Sequence, residues 1–243
     1  MCTVSYLPLS PTDFILTSNR DETLERPSAL PINHYLIGER TVYFPKDPQA
    51  GGTWIATTGA DITLCLLNGG FEPHAFIEGH RYRKSRGQVL LDFFGYEHAD
   101  AYIENYDFSG IEPFTLIVIE SVNGSIDVRE LRWNETQLTV TDMDATQPHI
   151  WSSVTLYSEA VRNQRKEWFQ NWLDRQPTLT QNEILQFHRF AGEGNPNHDL
   201  IMQKGNRKTV SICSIARAEG LTTAVYIDLK KEEMSNYLVY HTC

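Results

Sequence analysis

The sequence predicts an α+β fold in which two β-sheets carry helices on their outer faces. Three observations predict it. Short and period-2 apolar runs dominate the first third. The elements follow the order strands, helices, strands, helices, strands, which fits two sheets better than an alternating βαβ pattern. Apolar residues make up 41% of 243 residues, enough to bury a core without metal or disulfide staples. No internal repeat, low-complexity stretch or linker divides the chain, so residues 1–243 read as one domain.

The strands come first. Cys2 to Leu7 and Asp13 to Ser18 read as partners, punctuated by Ser10-Pro11. Asn19 to Pro31 is polar and proline-bounded and reads as a loop, and Thr53 to Thr57 with Ile62 to Leu67 reads as a hairpin. Ser85 with Gln88 is a capping-box pair that opens a helix carrying Val89, Leu90 and Phe93. A second short helix is expected from His98 to Tyr106. Strands resume at Phe114 to Glu120, Ser125 to Leu131, Gln137 to Thr141 and Pro148 to Ser152. Thr155 to Arg175 has the period of a long amphipathic helix, with Leu156, Val161, Trp168, Phe169 and Trp172 apolar. Thr180 and Glu183 cap a further helix through Phe190, and the last strands are expected at Thr209 to Ile215 and Thr222 to Leu229.

A net charge of -10 argues against a nucleic-acid partner, which needs clustered cations to neutralise phosphates. Four scattered cysteines form no CxxC pair, so neither a zinc site nor a disulfide framework is expected; Cys65 and Cys213, in apolar runs, read as core residues. The first residues have no basic segment followed by an apolar run, and no stretch reaches the ~18 apolar residues of a membrane span. These features lead to the expectation of a cytoplasmic protein without integral membrane contact; a homo-oligomer is left open. No phosphate-binding loop or dinucleotide motif is present, so no cofactor is expected.

Cys2 is the first candidate for chemistry. Removal of Met1 would put a thiol and an α-amine on one residue. With a reference pKa of about 7.7–8.0, that amine can act as base toward its own thiol. Cys is equally just an allowed second residue. Asn19-Arg20-Asp21-Glu22 ends the second strand. If the first two strands form an antiparallel hairpin, this tetrapeptide lies beside Cys2, where Asp21 could hold the amine and Arg20 could favour the thiolate. Read alone, it is also a solvated turn. Gly51-Gly52-Thr53-Trp54-Ile55 allows a close backbone approach or a pocket wall. Leu67-Asn68-Gly69 ends a strand with an amide suited to an oxyanion, or to a turn. The run His80 to Arg86 is the strongest basic stretch and could attract an anion or be a solvated face; His74 and His80 read as loop surface.

Met1-Cys2-Thr3, Asn19-Arg20-Asp21-Glu22 with Arg26-Pro27, Ala50-Gly51-Gly52-Thr53-Trp54-Ile55, Leu67-Asn68 and Ser85-Arg86-Gly87 together resemble the NRDE family (transport and Golgi organisation 2). The resemblance is clear to about residue 92 and diffuse beyond it. It implies a four-layer αββα sandwich of Ntn-hydrolase type and a distant similarity to acylases that cleave non-peptide amides with an N-terminal cysteine. Cys2 would be nucleophile and base, Asp21 the carboxylate near the amine, Arg20 the support of the thiolate and Asn68 an oxyanion donor. Asn19, Glu22, Trp54 and Arg207 are the expected substrate contacts. The partner is then a small-molecule substrate. A rival reading is a haem- or lipid-binding trafficking protein on the same fold, as the family's eukaryotic members are associated with haem and lipid handling. Two departures from the family pattern stand out: Trp151-Ser152-Ser153 and Phe114-Thr115-Leu116 lack an expected asparagine. Loss of an oxyanion donor costs roughly 10²–10³-fold in catalysis.

Overall fold

A computed structural model describes residues 3–73, 81–176 and 178–239. The chain begins with a hairpin of β1 (Thr3–Pro8) and β2 (Phe14–Thr23), followed by β3 (Leu30–Ile37), β4 (Arg40–Lys46), β5 (Ile55–Thr57) and β6 (Ile62–Asn68). Helices α1 (Arg86–Asp92) and α2 (Ala99–Asn105) separate these from β7 (Phe114–Val122), β8 (Ser125–Trp133), β9 (Leu138–Met143) and β10 (His149–Ser152). Helices α3 (Glu159–Leu173) and α4 (Gln181–Phe190) precede β11 (Gln203–Lys204), β12 (Arg207–Ala218), β13 (Leu221–Asp228) and β14 (Glu233–Val239).

The strands form two antiparallel sheets. One has the order β10-β1-β2-β12-β13-β14, with β11 paired to β12; the other runs β3-β4-β5-β6-β7-β8-β9. Alternation sorts the side chains. Val4, Tyr6, Leu16, Cys213 and Ile215 from the first sheet are buried in the core with Cys65, Leu67 and Ile117 from the second. Leu7, Ile15 and Ala216 point the other way and pack on Phe169 of α3 and Ile184 and Phe187 of α4. Leu64, Leu66 and Leu116 share the core with Val89 and Leu90 of α1 and Tyr102 of α2. The result is four layers, helix–sheet–sheet–helix. Cys65 and Cys213 are fully buried, and burial pushes the Cys65 thiol up to about 12.

Local chemistry explains the helix starts. Ser85 accepts from Gln88 N at 3.3 Å, Ser158 from Val161 N at 3.5 Å and Thr180 from Glu183 N at 3.2 Å, the N-cap pattern that satisfies otherwise orphaned donors. Glu120 of β7 accepts from Ala99 N at the start of α2, and burial raises its carboxyl above the ordinary value despite that bond. The long helix starts at Glu159 rather than Thr155, because Ser158 is its cap.

Two sequence expectations are corrected. Asn19 to Thr23 is strand, not loop. β12 pairs along this segment, with Ile212 opposite Asn19, Thr209 opposite Asp21 and Arg207 opposite Thr23. A tertiary partner thus holds polar residues in the ladder against their local preference. β3, β4 and β14 also went unread; β3 and β14 are edge strands with one wet face and carry a weak apolar pattern. The Gly-Gly expectation holds in a sharper form: a Cβ on Gly52 would lie 2.4 Å from the Gly87 carbonyl carbon, so two backbones touch there.

Candidate functional site

Thr3, at the start of β1, is fully buried and sits opposite Asn19 of β2 and Ser152 of β10. The expected hairpin pairing therefore holds, and the start of β1 lies beside the tetrapeptide. Cys2 itself falls outside the described residues, as do His74 and His80.

Strand alternation divides the tetrapeptide between two faces of the sheet. Asn19 and Asp21 face helices α3 and α4. Asn19 Nδ2 donates to Leu200 O at 2.8 Å and His188 O at 3.2 Å. Its Oδ1 must then be the acceptor toward His188 Nδ1 at 2.7 Å, which fixes the tautomer: Nδ1 carries the hydrogen, and Nε2 accepts from Ser5 Oγ at 2.8 Å. Burial, assisted by the nearby Arg165 cation, lowers the His188 pKa to about 3, so the ring is neutral. Asp21 Oδ2 accepts from Tyr157 at 2.6 Å and Oδ1 from Thr209 at 2.6 Å. A register shift in β12 between Thr209 and Ser211, opposite Asp21 and Arg20, aims Thr209 at this carboxylate.

Arg20 faces the second sheet. Its guanidinium lies 4.7 Å over the Trp54 ring and donates to Asp47 Oδ2 at 2.5 Å; Glu22 is farther, at 3.8 Å, and about one quarter exposed. Arg26 reaches the same Asp47 oxygen at 3.0 Å, and Asp47 Oδ1 accepts from Gln49 N and Ala50 N. Burial alone would raise the Asp47 carboxyl; the Ala50 bond and the two arginines outweigh it and hold it below the usual value.

Asn68 ends β6, and its side chain has no hydrogen-bond partner among the described residues, so it is available as a donor. Its carbonyl accepts from Ser153 Oγ at 2.8 Å, and the next carbonyl, Gly69 O, accepts from Thr115 Oγ1 at 2.8 Å. The two positions where asparagine was expected thus converge on the Asn68–Gly69 backbone. Gly69 has φ +87, and a Cβ there would lie 2.5 Å from Thr155 Oγ1.

Arg207 is exposed at the start of β12, opposite Thr23, away from the buried group around Thr3 and Asp21. Three cations of the basic run are paired: Lys84 with Asp92, Arg86 with Glu112 at 3.1 Å, and Arg83 with the Asp107 and Ser109 carbonyls; Arg81 is exposed.

Sequence reasoning missed Arg165, Tyr157, Thr209 and Asp47. Arg165 is fully buried and donates from Nη1 to Thr3 Oγ1 at 2.6 Å. Its guanidinium lies 3.7 Å over the Tyr157 ring. One signal was legible: Arg165 occupies the apolar stripe of α3 at i+4 from Val161 and i−4 from Phe169, where a charge needs a reason.

A cavity of about 550 Å³ reaches this region. Its lining includes Trp151 and Ser152, which pair with Val4 and Thr3, together with Leu67 and Thr115. Arg162 and Lys166 of α3 also line it. Among the described residues, no group of three or more His, Cys, Asp or Glu side chains could hold a metal ion. No described helix is long and apolar enough to cross a membrane.

Comparison with known proteins bears on this geometry. A family model described as Transport and Golgi organisation 2 matches residues 1–237. Among solved structures, the chain is similar to a Caenorhabditis elegans N-acylethanolamine-hydrolyzing acid amidase ortholog, an Ntn hydrolase. The TM-score is 0.61 at 10% identity, covering 88% of this chain and 92% of that one. At that identity the likeness shows the fold: an Ntn-type sandwich. A search of curated proteins finds no match.

Proposed function

Because this chain belongs to the Transport and Golgi organisation 2 family, we propose that it is an N-terminal-nucleophile amidohydrolase or acylase that cleaves a linear, non-peptide C–N amide. Removal of Met1 leaves Cys2 with an α-amine that takes the thiol proton. The sulfur attacks the amide carbonyl carbon, and the carbonyl electron pair moves onto oxygen, where Asn68 donates to it. Collapse breaks the C–N bond, the α-ammonium protonates the leaving amine, and a thioester remains. Water then attacks the thioester with the amine as base, releasing the acid and the thiol. In this reading Asp21 holds the α-ammonium and Arg20 supports the thiolate. Glu22 and Trp54 are assigned to substrate contact; Asn19, whose amide is committed to His188 and Leu200, and Arg207, which lies away from the site, are not.

The observation that carries the reading is the position of Thr3 between Asn19 and Ser152, with the cavity reaching Ser152. Covalent geometry keeps the Cα of Cys2 about 3.8 Å from that of Thr3. The similarity to a protein named for N-acylethanolamine hydrolysis puts N-acyl amides first in a substrate panel. The test has two parts. Intact mass of the protein made in cells reports whether Met1 is removed. Turnover of the panel by wild type and Cys2→Ala reports the nucleophile. Retained Met1, or full activity in Cys2→Ala, overturns the proposal.

A second reading, a haem- or lipid-binding trafficking protein, draws support from the mixed cavity lining. Leu67, Phe71 and Met143 supply apolar surface, while His149, Arg162 and Lys166 supply polar ends. Binding of haem or an acyl chain that survives Cys2→Ala, with no hydrolysis of the panel, favours it.

A further inference from the structure

We infer that Arg165 is a positioning residue of the Cys2 site, clamping Thr3 and so fixing the start of the chain against β2 and β10. The inference rests on the proposal that Cys2 is the nucleophile.

The argument begins with cost. Arg165 is one of the largest fully buried side chains, at 0% exposure. A guanidinium taken out of water is expensive, and the usual compensation is a carboxylate. Here every hydrogen bond of the guanidinium among the described residues goes to a neutral oxygen. Nε and Nη2 donate to His198 O at 3.0 and 2.9 Å, Nη2 also to Asp199 O at 2.7 Å, and Nη1 to Thr3 Oγ1 at 2.6 Å. Packing alone would be served at this point of α3 by a hydrophobe like Val161 or Phe169, one turn away on either side.

The contacts of Arg165 have a common direction. The shortest goes to the first described residue of β1. The face of the guanidinium lies on Tyr157, whose hydroxyl binds Asp21 at 2.6 Å. One chain of contacts, Thr3–Arg165–Tyr157–Asp21, therefore joins the start of β1 to the carboxylate proposed to hold the α-amine. The planar fork matters: its fixed, spread donors bind two loop carbonyls and the Thr3 hydroxyl at once, an arrangement the three N–H groups diverging from one ammonium nitrogen do not match. Because Thr3 is covalently next to Cys2, restraint on Thr3 limits where the thiol and amine can go. A nucleophile misplaced by about 1 Å can lose roughly 10²-fold in rate.

The test needs no substrate. Iodoacetamide is reacted with the full-length protein, and modification at Cys2 is timed by peptide mass, with intact mass reporting Met1 in the same samples. Thr3→Val keeps the shape and removes the hydroxyl, whereas Thr3→Ser keeps the hydroxyl. Cys2 in Thr3→Val should react about tenfold more slowly, the scale of one lost hydrogen bond to a charged group, while Thr3→Ser should react at the wild-type rate. Arg165→Lys keeps the cation and loses the fork; the same slowing is expected, and it serves if Thr3→Val does not fold. A folded Thr3→Val or Arg165→Lys protein that reacts at the wild-type rate overturns the inference, as does a Thr3→Ser protein as slow as Thr3→Val. In these cases Met1 is absent and the Cys2 proposal stands. Retained Met1 overturns both.

Discussion

The Tyr157 hydroxyl donates to Asp21 Oδ2 at 2.6 Å, joining the residue just before the α3 cap to the middle of the β2 tetrapeptide. Both partners are buried, Tyr157 at 3% and Asp21 at 2% exposure. The bond ties the helix layer to the sheet two residues along β2 from Asn19, the partner of Thr3.

Tyr157→Phe removes that donor from a buried carboxylate. Unfolding by urea should show a loss of about 1.5–3 kcal/mol, the range for hydrogen bonds to charged groups. A loss within error of zero would mean that the remaining partners of Asp21, Thr209 among them, satisfy it.

Gly69→Ala introduces two strains. The residue needs φ +87, and the new Cβ would meet Thr155 Oγ1 at 2.5 Å and Val154 Cγ2 at 2.6 Å. A destabilisation of about 2–3 kcal/mol is expected. In the Thr155→Gly background the cost should fall, since one of the clashing atoms is gone; an unchanged cost would assign the effect to backbone strain and the Val154 contact.

His188 makes stability depend on pH. Its folded pKa, about 3, lies below the reference value of 6.5. A depressed folded pKa contributes stability that is fully present above the unfolded pKa and is lost as pH falls toward the folded one. The window is therefore between about pH 6.5 and pH 3, and at pH 5 the loss from this group is about 2 kcal/mol. The stability gap between wild type and His188→Gln should narrow by that amount from pH 7.5 to pH 5. A gap that stays constant would show that the ring titrates normally.

Ser153→Ala and Thr115→Val each remove a donor to one of two adjacent carbonyls, Asn68 O and Gly69 O. Each should cost about 1 kcal/mol. The double variant should cost more than the sum of the two, because the Asn68–Gly69 segment then loses both anchors; strict additivity would show that the two bonds act independently.

Much of this was legible before the structure. Period-2 runs located β1, β6, β7, β8, β12 and β13, because a buried strand face leaves an apolar signature in its own residues. Ser85 and Thr180 located two helix starts, since a cap acts within one turn of chain, whereas the Ser158 cap was not read. Arg20, Asp21 and Asn68 were selected on ordered motifs and residue chemistry. Asp47 was not, because nothing in its own neighbourhood announces that Arg20 and Arg26 will converge on it. Thr209 was read only as the start of a strand.

What the sequence determined by itself was the α+β class, most of the elements and the set of residues worth watching, with Cys2 first among them. These follow from periodicity and capping, which act between near neighbours in the chain. Tertiary structure decided the rest. It extended β2 through Asn19–Glu22 and turned Asn19 and Asp21 toward the helices while Arg20 turned toward the second sheet. It also brought Arg165 to Thr3 across 162 residues of chain. The reason is physical: strand alternation and sheet order set which side chains meet, and burial then selects the polar pairs that satisfy one another.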